Sequence, residues 1–238
     1  MKAIVLGGFV LGFVSVGLLA GAESTPPPAD MIVERYCVAT QGQNRLMQAA
    51  TMDVEIAASI PKLKKNGKLS ALRRVSALGR ITYEKLRFEG DGTVKKQIIN
   101  RYLSAEAEAQ RDPSLAIPVT PENYNFKYKG TSQLDGRDTH VFEVSPKRKR
   151  RGVFRGELWI DAATFLRVQE SGYLVKSPSP LLKKVAFVRK YQIRDGISVP
   201  RQEQSFVDTR LGIGRAELTI DFSNFAIASA EDAPQDIQ

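Results

Sequence analysis

Runs in which every second side chain is apolar recur along most of this chain, and they constrain its fold more than any other feature. In residues 53–60 (DVEIAASI), every second side chain is apolar, so the apolar side chains share one face. The same alternation returns in residues 153–161, 183–194 and 215–222. A period of two is typical of a half-buried β-strand. The chain is therefore expected to form mainly antiparallel sheet with one apolar face.

A helix is predicted before the strands. Asp30 is a suitable N-cap, and Gly42 is expected to end the helix. Residues 72–89 are interpreted as one long strand or as a strand with a bulge. The bulge is placed near Glu84 or Lys85, because the phase of the apolar residues changes there.

The middle of the chain departs from the alternating pattern. A further strand is expected at 93–103 and a helix at 104–112. Pro113, Pro118 and Pro121 then interrupt regular structure, and this stretch is a candidate lid or an ordinary connection. Hairpins resume from residue 124. Nine or ten strands after the N-terminal helix predict an α+β fold, in which a curved antiparallel sheet forms an unclosed β-barrel and helices cover its mouth.

The N-terminus has the layout of a bacterial secretory signal peptide. Lys2 precedes an apolar run from Ile4 to Leu19, and small residues come before a predicted cleavage site after Ala22. The alternative is a transmembrane anchor, but the run is short for a membrane span. The protein is therefore expected to be exported to the periplasm.

The remaining chain is predicted to be a single domain. The expected organisation is a signal peptide at 1–22, a Pro-rich lead-in at 23–29, a domain at 30–228 and a disordered acidic tail at 229–238. Cys37 is the one cysteine, so an internal disulfide is excluded and stability must come from burial of a core.

Basic residues are clustered in a chain whose formal net charge is +9. The clusters lie at 62–68, 147–151 and 183–190, and clustering of this kind favours an anionic surface as neighbour. The run at 147–151 is either a solvated hairpin loop or a patch that contacts an anionic membrane surface. Nucleic acid is not expected as a partner in the periplasm. The predicted contact residues are Lys147, Arg148, Lys149, Arg150 and Arg151.

The sequence contains little that indicates catalysis. His140 is the sole histidine and is interpreted as a structural or cavity-wall residue. Glu157 and Asp161 could be imagined as a carboxylate pair, but a solvated outer face is the favoured interpretation. Catalytic residues, metal ligands and cofactors are not expected, and the chain is predicted not to be an enzyme.

The strand-and-turn patterns of the second half carry a family resemblance. These segments are 126–149, 156–172, 183–192, 196–206 and 214–225. Together they resemble the LolA-like superfamily, which includes the lipoprotein carriers LolA and LolB, the regulator RseB and proteins described as outer membrane lipoprotein-sorting proteins. The resemblance implies an unclosed β-barrel whose members hold acyl chains between the concave sheet and its helical cover.

A hollow lined by the apolar strand face is therefore expected, although the N-terminal helix could instead fill it. Its predicted lining residues are Val54, Ile56, Ile81, Leu158, Ile160, Val185, Phe187, Leu218, Ile220 and Phe222. The function expected is that of a periplasmic carrier or chaperone. It would bind acyl chains of lipoproteins or lipids and move them between envelope membranes, with transient contact to a membrane surface or a membrane-bound donor or acceptor. The alternative is a non-catalytic envelope-stress sensor or interaction module of the RseB type.

Overall fold

The computed structural model describes residues 27–112, 117–177, 182–209 and 214–227. The predicted signal peptide, most of the Pro-rich lead-in and the acidic tail lie outside these ranges. The domain boundaries drawn from the sequence therefore stay predictions. Within the described residues, no helix is long and apolar enough to cross a membrane.

Ten antiparallel strands form a single sheet. They are β1 (Ala50–Ile60), β2 (Lys65–Val75), β3 (Ile81–Gly90), β4 (Tyr124–Leu134), β5 (Arg137–Pro146), β6 (Phe154–Asp161), β7 (Arg167–Leu174), β8 (Leu182–Arg194), β9 (Ile197–Thr209) and β10 (Arg215–Ile227). Their order is β3-β2-β1-β10-β9-β8-β7-β6-β5-β4. Among these described strands β3 and β4 are the two edges and do not pair, so the barrel is unclosed and the predicted α+β fold class is confirmed.

Helices occupy two parts of the chain. They are α1 (Ala29–Thr40), α2 (Gln43–Leu46), α3 (Gly92–Val94) and α4 (Asn100–Arg111), and a π-helical turn (Lys95–Ile99) joins α3 to α4. A short 3-10 helix (Pro61–Leu63) lies between β1 and β2. Helix α1 begins one residue before Asp30, with Pro28 at the N-cap position. Asp30 is therefore a residue of the first turn, where its charge favours the helix dipole, and the predicted cap is wrong.

The segment 93–103 is helical, so the strand expected there is wrong. Asp91 caps the helix by accepting hydrogen bonds from the backbone N–H groups of Thr93 (2.7 Å) and Val94 (3.4 Å). The apolar residues that follow are spaced for a helix and pack against the sheet. Spacings of four residues, as between Val94 and Ile98, bring side chains to one side of a helix.

The segment 72–89 contains two strands rather than one. Strand β2 ends at Val75, and β3 begins at Ile81 after a turn in which the N–H of Gly79 donates to the carbonyl of Ser76 (2.8 Å). The predicted bulge is confirmed, because the register between β2 and β3 shifts at this point and Lys85 has a φ of 54°. The shift places Phe88 opposite the buried Leu69, on the inner face, whereas Leu86 at the bulge is exposed.

Two apolar clusters fill the inner side of the sheet. One packs α1, through Ile32 and Tyr36, against the strands from β5 to β8. The other packs the segment from α3 to α4, through Val94 and Ile99, against β1, β2 and β10. The helices therefore cover the concave face, and much of the expected hollow is occupied by their own side chains.

Candidate functional site: a charged cavity between two apolar clusters

A cavity of about 320 Å³ lies between the two clusters. Its apolar wall includes Ile117 and Val119 from the irregular segment after α4, together with Phe154 and Phe222 from the sheet. The remainder of the lining is mostly charged or aromatic and comes from β2, α4, β7, β8 and β9. The cavity therefore has both apolar and ionic walls.

The ionic wall follows from the register of the sheet. Ile220 of β10 pairs with Glu203 of β9, Glu203 with Arg189 of β8, and Arg189 with Glu170 of β7. Glu170 in turn pairs with Leu158 of β6. Directly paired residues point to the same side of a sheet. Two carboxylates and a guanidinium therefore lie side by side at the centre of an otherwise apolar row.

Glu170 is at the centre of this ion cluster and is 3% exposed. One carboxylate oxygen accepts from Nη1 of Arg167 (3.2 Å), and the other accepts from the hydroxyl of Tyr191 (3.0 Å) and lies 4.0 Å from Nη1 of Arg189. Arg189 also donates through Nε to Glu203 (3.1 Å). Each buried carboxylate therefore has a cationic partner, as burial of charge requires.

Arg167 reaches the cluster through an irregularity of the sheet. The register between β6 and β7 shifts so that Arg167 pairs with Ile160, an inward-facing residue. Its guanidinium lies over the ring of Tyr191, 4.5 Å from the centroid. The side chains of Arg167 and Arg189 are 34% and 39% exposed, and both line the cavity. Their charge is therefore available to a group that enters it.

A second ion pair closes the other side of the cavity. Arg73 of β2 donates through Nη2 to Glu106 of α4 (3.1 Å), and the hydroxyl of Tyr83 hydrogen-bonds to the same carboxylate. Nε of Arg73 is buried and has no hydrogen-bond partner among the described residues. This pair ties α4 to the sheet across β2 and β3.

The ionisation of the site follows from these contacts. The pKa of Arg189 is raised mainly by the Glu203 carboxylate. Burial by itself would lower the pKa of Arg167, but the electrostatic effect of Tyr191 and Glu170 is larger, so its pKa is raised. Burial raises the pKa of Tyr102 and Tyr191 well above the usual value for tyrosine. The arginines therefore stay charged and the tyrosine hydroxyls stay protonated at any physiological pH.

The ten residues predicted to line one hollow are distributed over three locations. Val54, Ile56, Leu218 and Ile220 are buried in the cluster under α3 and α4, with Phe222 partly buried at its side. Leu158, Ile160 and Phe187 are buried in the cluster under α1. Ile81 and Val185 are half-buried elsewhere on the sheet. Within the part of the chain that the structure describes, Phe222 is the one of these ten that lines the cavity. Ligand contact by the other nine stays a prediction.

The sequence does indicate that two of these charged residues point inward. Arg189 falls in the same alternating phase as Phe187 and Tyr191, and Arg73 falls in phase with Ala71 and Val75. A charge at an inward position of a strand is costly unless it is paired or functional. Arg167 has no such signal, because the register shift that turns it inward depends on the neighbouring strand.

The basic run at 147–151 forms the connection between β5 and β6, and all five side chains are exposed. Arg150 donates to the side-chain oxygen of Asn123 (2.8 Å), and Arg151 lies 3.7 Å from Glu108 of α4. The neighbouring residue Gly152 lines the cavity. The run therefore lies beside the cavity and beside the helix that covers it.

The other residues considered for chemistry have structural partners. His140 is buried, lies 3.2 Å through Nδ1 from the hydroxyl of Tyr128, and stacks on Phe165. Asp161 is buried, so its predicted place on a solvated face is wrong. It accepts from the backbone N–H of Thr164 (2.8 Å) and from Arg137 (3.3 Å) and organises the turn after β6. Among the described residues, no cluster of His, Cys, Asp or Glu side chains has the arrangement of a metal site.

Comparison with known proteins identifies similar solved structures. No protein-family model matches the chain, and no curated protein matches it. A LolA superfamily protein from Nitrosomonas europaea is 13% identical, covers 85% of this chain and 94% of its own, and has a TM-score of 0.37. A DUF1329 family protein from Desulfovibrio piger is 14% identical, with coverages of 87% and 95% and a TM-score of 0.42. A domain from Vibrio parahaemolyticus described as an outer membrane lipoprotein-sorting protein is 13% identical, with coverages of 84% and 92% and a TM-score of 0.41.

The fold assignment rests on the strand order and register of this chain itself.

Proposed function

We propose that this protein is a non-catalytic carrier of the bacterial envelope. It binds an acyl chain of a lipoprotein or lipid in the cavity between the two apolar clusters and moves it between membranes. The single observation that carries the proposal is a cavity of about 320 Å³ with apolar and ionic walls side by side. An amphiphile is the kind of ligand that satisfies both walls.

The size of the cavity limits the ligand. Small-molecule sites usually have volumes of roughly 300–1,000 Å³, so this cavity is at the lower end of the range. It accommodates a single chain segment with its polar end more readily than several acyl chains. Each methylene that enters contributes about 0.8 kcal/mol.

The chemistry of the cavity supports binding rather than catalysis. The three buried or half-buried carboxylates, Glu106, Glu170 and Glu203, each lie within 3.2 Å of an arginine side chain. Each of these carboxylates is therefore already engaged in an ion pair, as expected where charges are held in a partly buried site. The predicted signal peptide at 1–22 supports export to the periplasm.

A chain-length series tests the proposal. We expect the delipidated protein to bind fluorescent fatty acids, with the Kd falling about fourfold per added methylene until the cavity is full. Ile117→Trp fills the apolar wall and should weaken binding of the longest chain at least ~tenfold, since two excluded methylenes suffice for that. Ile227→Trp is the matched control at the exposed end of β10 and should bind as the wild type does.

Absence of binding at every chain length would exclude the carrier function. It would leave the interaction-module hypothesis as the remaining interpretation. Mass spectrometry of molecules that copurify with the protein identifies the natural ligand independently of the fluorescent probe.

A further inference from the structure

We propose that one end of the sheet is a docking surface for an anionic lipid bilayer. We call it the basic edge; it is formed by the ends of strands and not by the edge strands β3 and β4. It consists of the connections β1–β2 (61–64) and β5–β6 (147–153), the start of the β7–β8 connection (175–177), and the first residues of β2 and β8. This inference goes beyond the proposed function, because it needs only the surface charge and not an occupied cavity.

The topology brings the basic clusters together. All neighbouring strands are antiparallel, so connections fall alternately at the two ends of the sheet. The turn at 61–64, the run at 147–151, Lys176 and Lys183 all fall at the same end. Lys62 of the first connection lies close to Gly214, directly before β10, so separate connections meet at this end.

The opposite end has a different charge. Its connections are 76–80, 135–136, 162–166 and 195–196, and their charged residues are Arg80, Asp135 and Asp195. By contrast, the described connections of the basic edge contain only basic charged residues, namely Lys62, Lys64, Lys147, Arg148, Lys149, Arg150, Arg151 and Lys176. The hairpin connections at the two ends of the sheet therefore differ in charge. Asp91 and Asp208 also lie at the basic end, where they pair with Lys65 (3.3 Å) and Arg215 (3.0 Å).

Much of this charge is open to solvent and to a partner. Lys64, Lys147, Arg148, Lys149 and Lys183 are exposed, and no carboxylate of the described residues lies within 4 Å of them. Neighbouring strands are about 4.8 Å apart, so the edge from β2 to β5 follows an arc on the order of 30 Å. An extended anionic surface matches this arc better than a single small anion does.

Apolar side chains accompany the charges. Leu63 lies between Lys62 and Lys64 at the tip of the first connection and is 41% exposed. Tyr173 and Phe206 are partly exposed on the outer face near this edge, in register with Ala186 between them. Aromatic and aliphatic residues beside lysines are typical of surfaces that rest in a lipid headgroup layer. A bilayer therefore matches this surface better than an acidic protein does.

Docking in this orientation places the cavity next to the bilayer. Gly152, in the connection that carries the basic run, lines the cavity, and Arg151 lies beside Glu108 of α4. If the proposed carrier function holds, a ligand would therefore have a short path between the bilayer and the cavity.

Cosedimentation with lipid vesicles tests the docking surface. The purified protein should bind vesicles of phosphatidylcholine and phosphatidylglycerol in a ratio of about 2:1, and should not bind vesicles of phosphatidylcholine alone. Because the attraction is electrostatic, binding should be lost at about 1 M salt, where the screening length is ~3 Å. The triple variant K147Q/R148Q/K149Q should bind about 100-fold more weakly, since each basic residue near such a surface contributes about fivefold.

A matched triple variant at the opposite end is the control. R45Q/R80Q/R194Q removes the same charge from exposed positions. Its affinity for the vesicles should be close to that of the wild type, with only a small decrease from the lower net charge. Equal weakening by both variants would show that net charge alone drives binding and would overturn the proposal. The proposal would also be overturned if the protein bound an acidic polypeptide through these residues and did not bind the vesicles. Vesicle binding without fatty-acid binding would refute the carrier function and leave the docking surface intact.

Discussion

Replacing Glu170 with Gln is the sharpest test of the ion cluster. Glu170 is buried, and its carboxylate accepts from Arg167 (3.2 Å) and Tyr191 (3.0 Å) and lies 4.0 Å from Arg189. Gln keeps the shape and one acceptor oxygen, but its amide NH₂ would face a donor. We expect the free energy of unfolding to fall by about 2–3 kcal/mol.

The magnitude follows from the burial of the two partners. Removing one partner from a fully buried ion pair costs about 3–5 kcal/mol. Arg167 and Arg189 are 34% and 39% exposed and line the cavity, so water there screens part of the unbalanced charge. The loss of a hydrogen bond to a charged group alone is worth about 1.5–3 kcal/mol. The expected loss of about 2–3 kcal/mol therefore lies at or just below the lower limit for fully buried pairs.

Urea unfolding followed by circular dichroism measures this loss. Glu143→Gln is the control, because Glu143 is exposed on β5, and it should change stability by less than about 0.5 kcal/mol. A double-mutant cycle with Arg167→Gln should give a coupling free energy of about 1 kcal/mol or more. If Glu170→Gln costs no more than the control, or if the two changes are additive, the cluster does not act as described.

Two further changes test the packing of the sheet and the state of its histidine. A Cβ added at Gly156 would lie 1.9 Å from the carbonyl oxygen of Ser171, so Gly156→Ala should cost about 3 kcal/mol or more in urea unfolding. Gly92→Ala at the start of α3 meets open space and should be neutral or stabilising by up to ~1 kcal/mol; a similar loss in both variants would contradict the close approach of β6 and β7. Burial lowers the pKa of His140, so the folded state takes up the proton less readily than the unfolded state, and stability should fall as pH drops through about 6.5. Because His140 is the sole histidine, His140→Gln should flatten the stability profile between about pH 7.5 and 5.5, and an unchanged slope would refute this assignment.

The alternation of side chains was sufficient to predict the strands from β4 onward and the one-sided burial of β1. In residues 53–60, Val54, Ile56, Ala58 and Ile60 are buried as their phase predicted. The bulge near Lys85 was also predictable, because an extra residue reverses the phase of the strand. The helical segment at 92–103 was missed because its strand-like composition hid a cap at Asp91 and a four-residue spacing.

The sequence by itself determined which face of most strands is buried, because a strand's period of two is a local property. It did not determine which strands are neighbours: β1 pairs with β10, more than a hundred residues away along the chain. That pairing, together with the register, decided that Glu203, Arg189 and Glu170 meet beside a cavity and that Arg167 turns inward to join them. It also decided that distant lysines and arginines collect at one end of the sheet. Local patterns specify a face, whereas contacts between distant segments depend on how the whole sheet is ordered, and only the tertiary structure supplies that order.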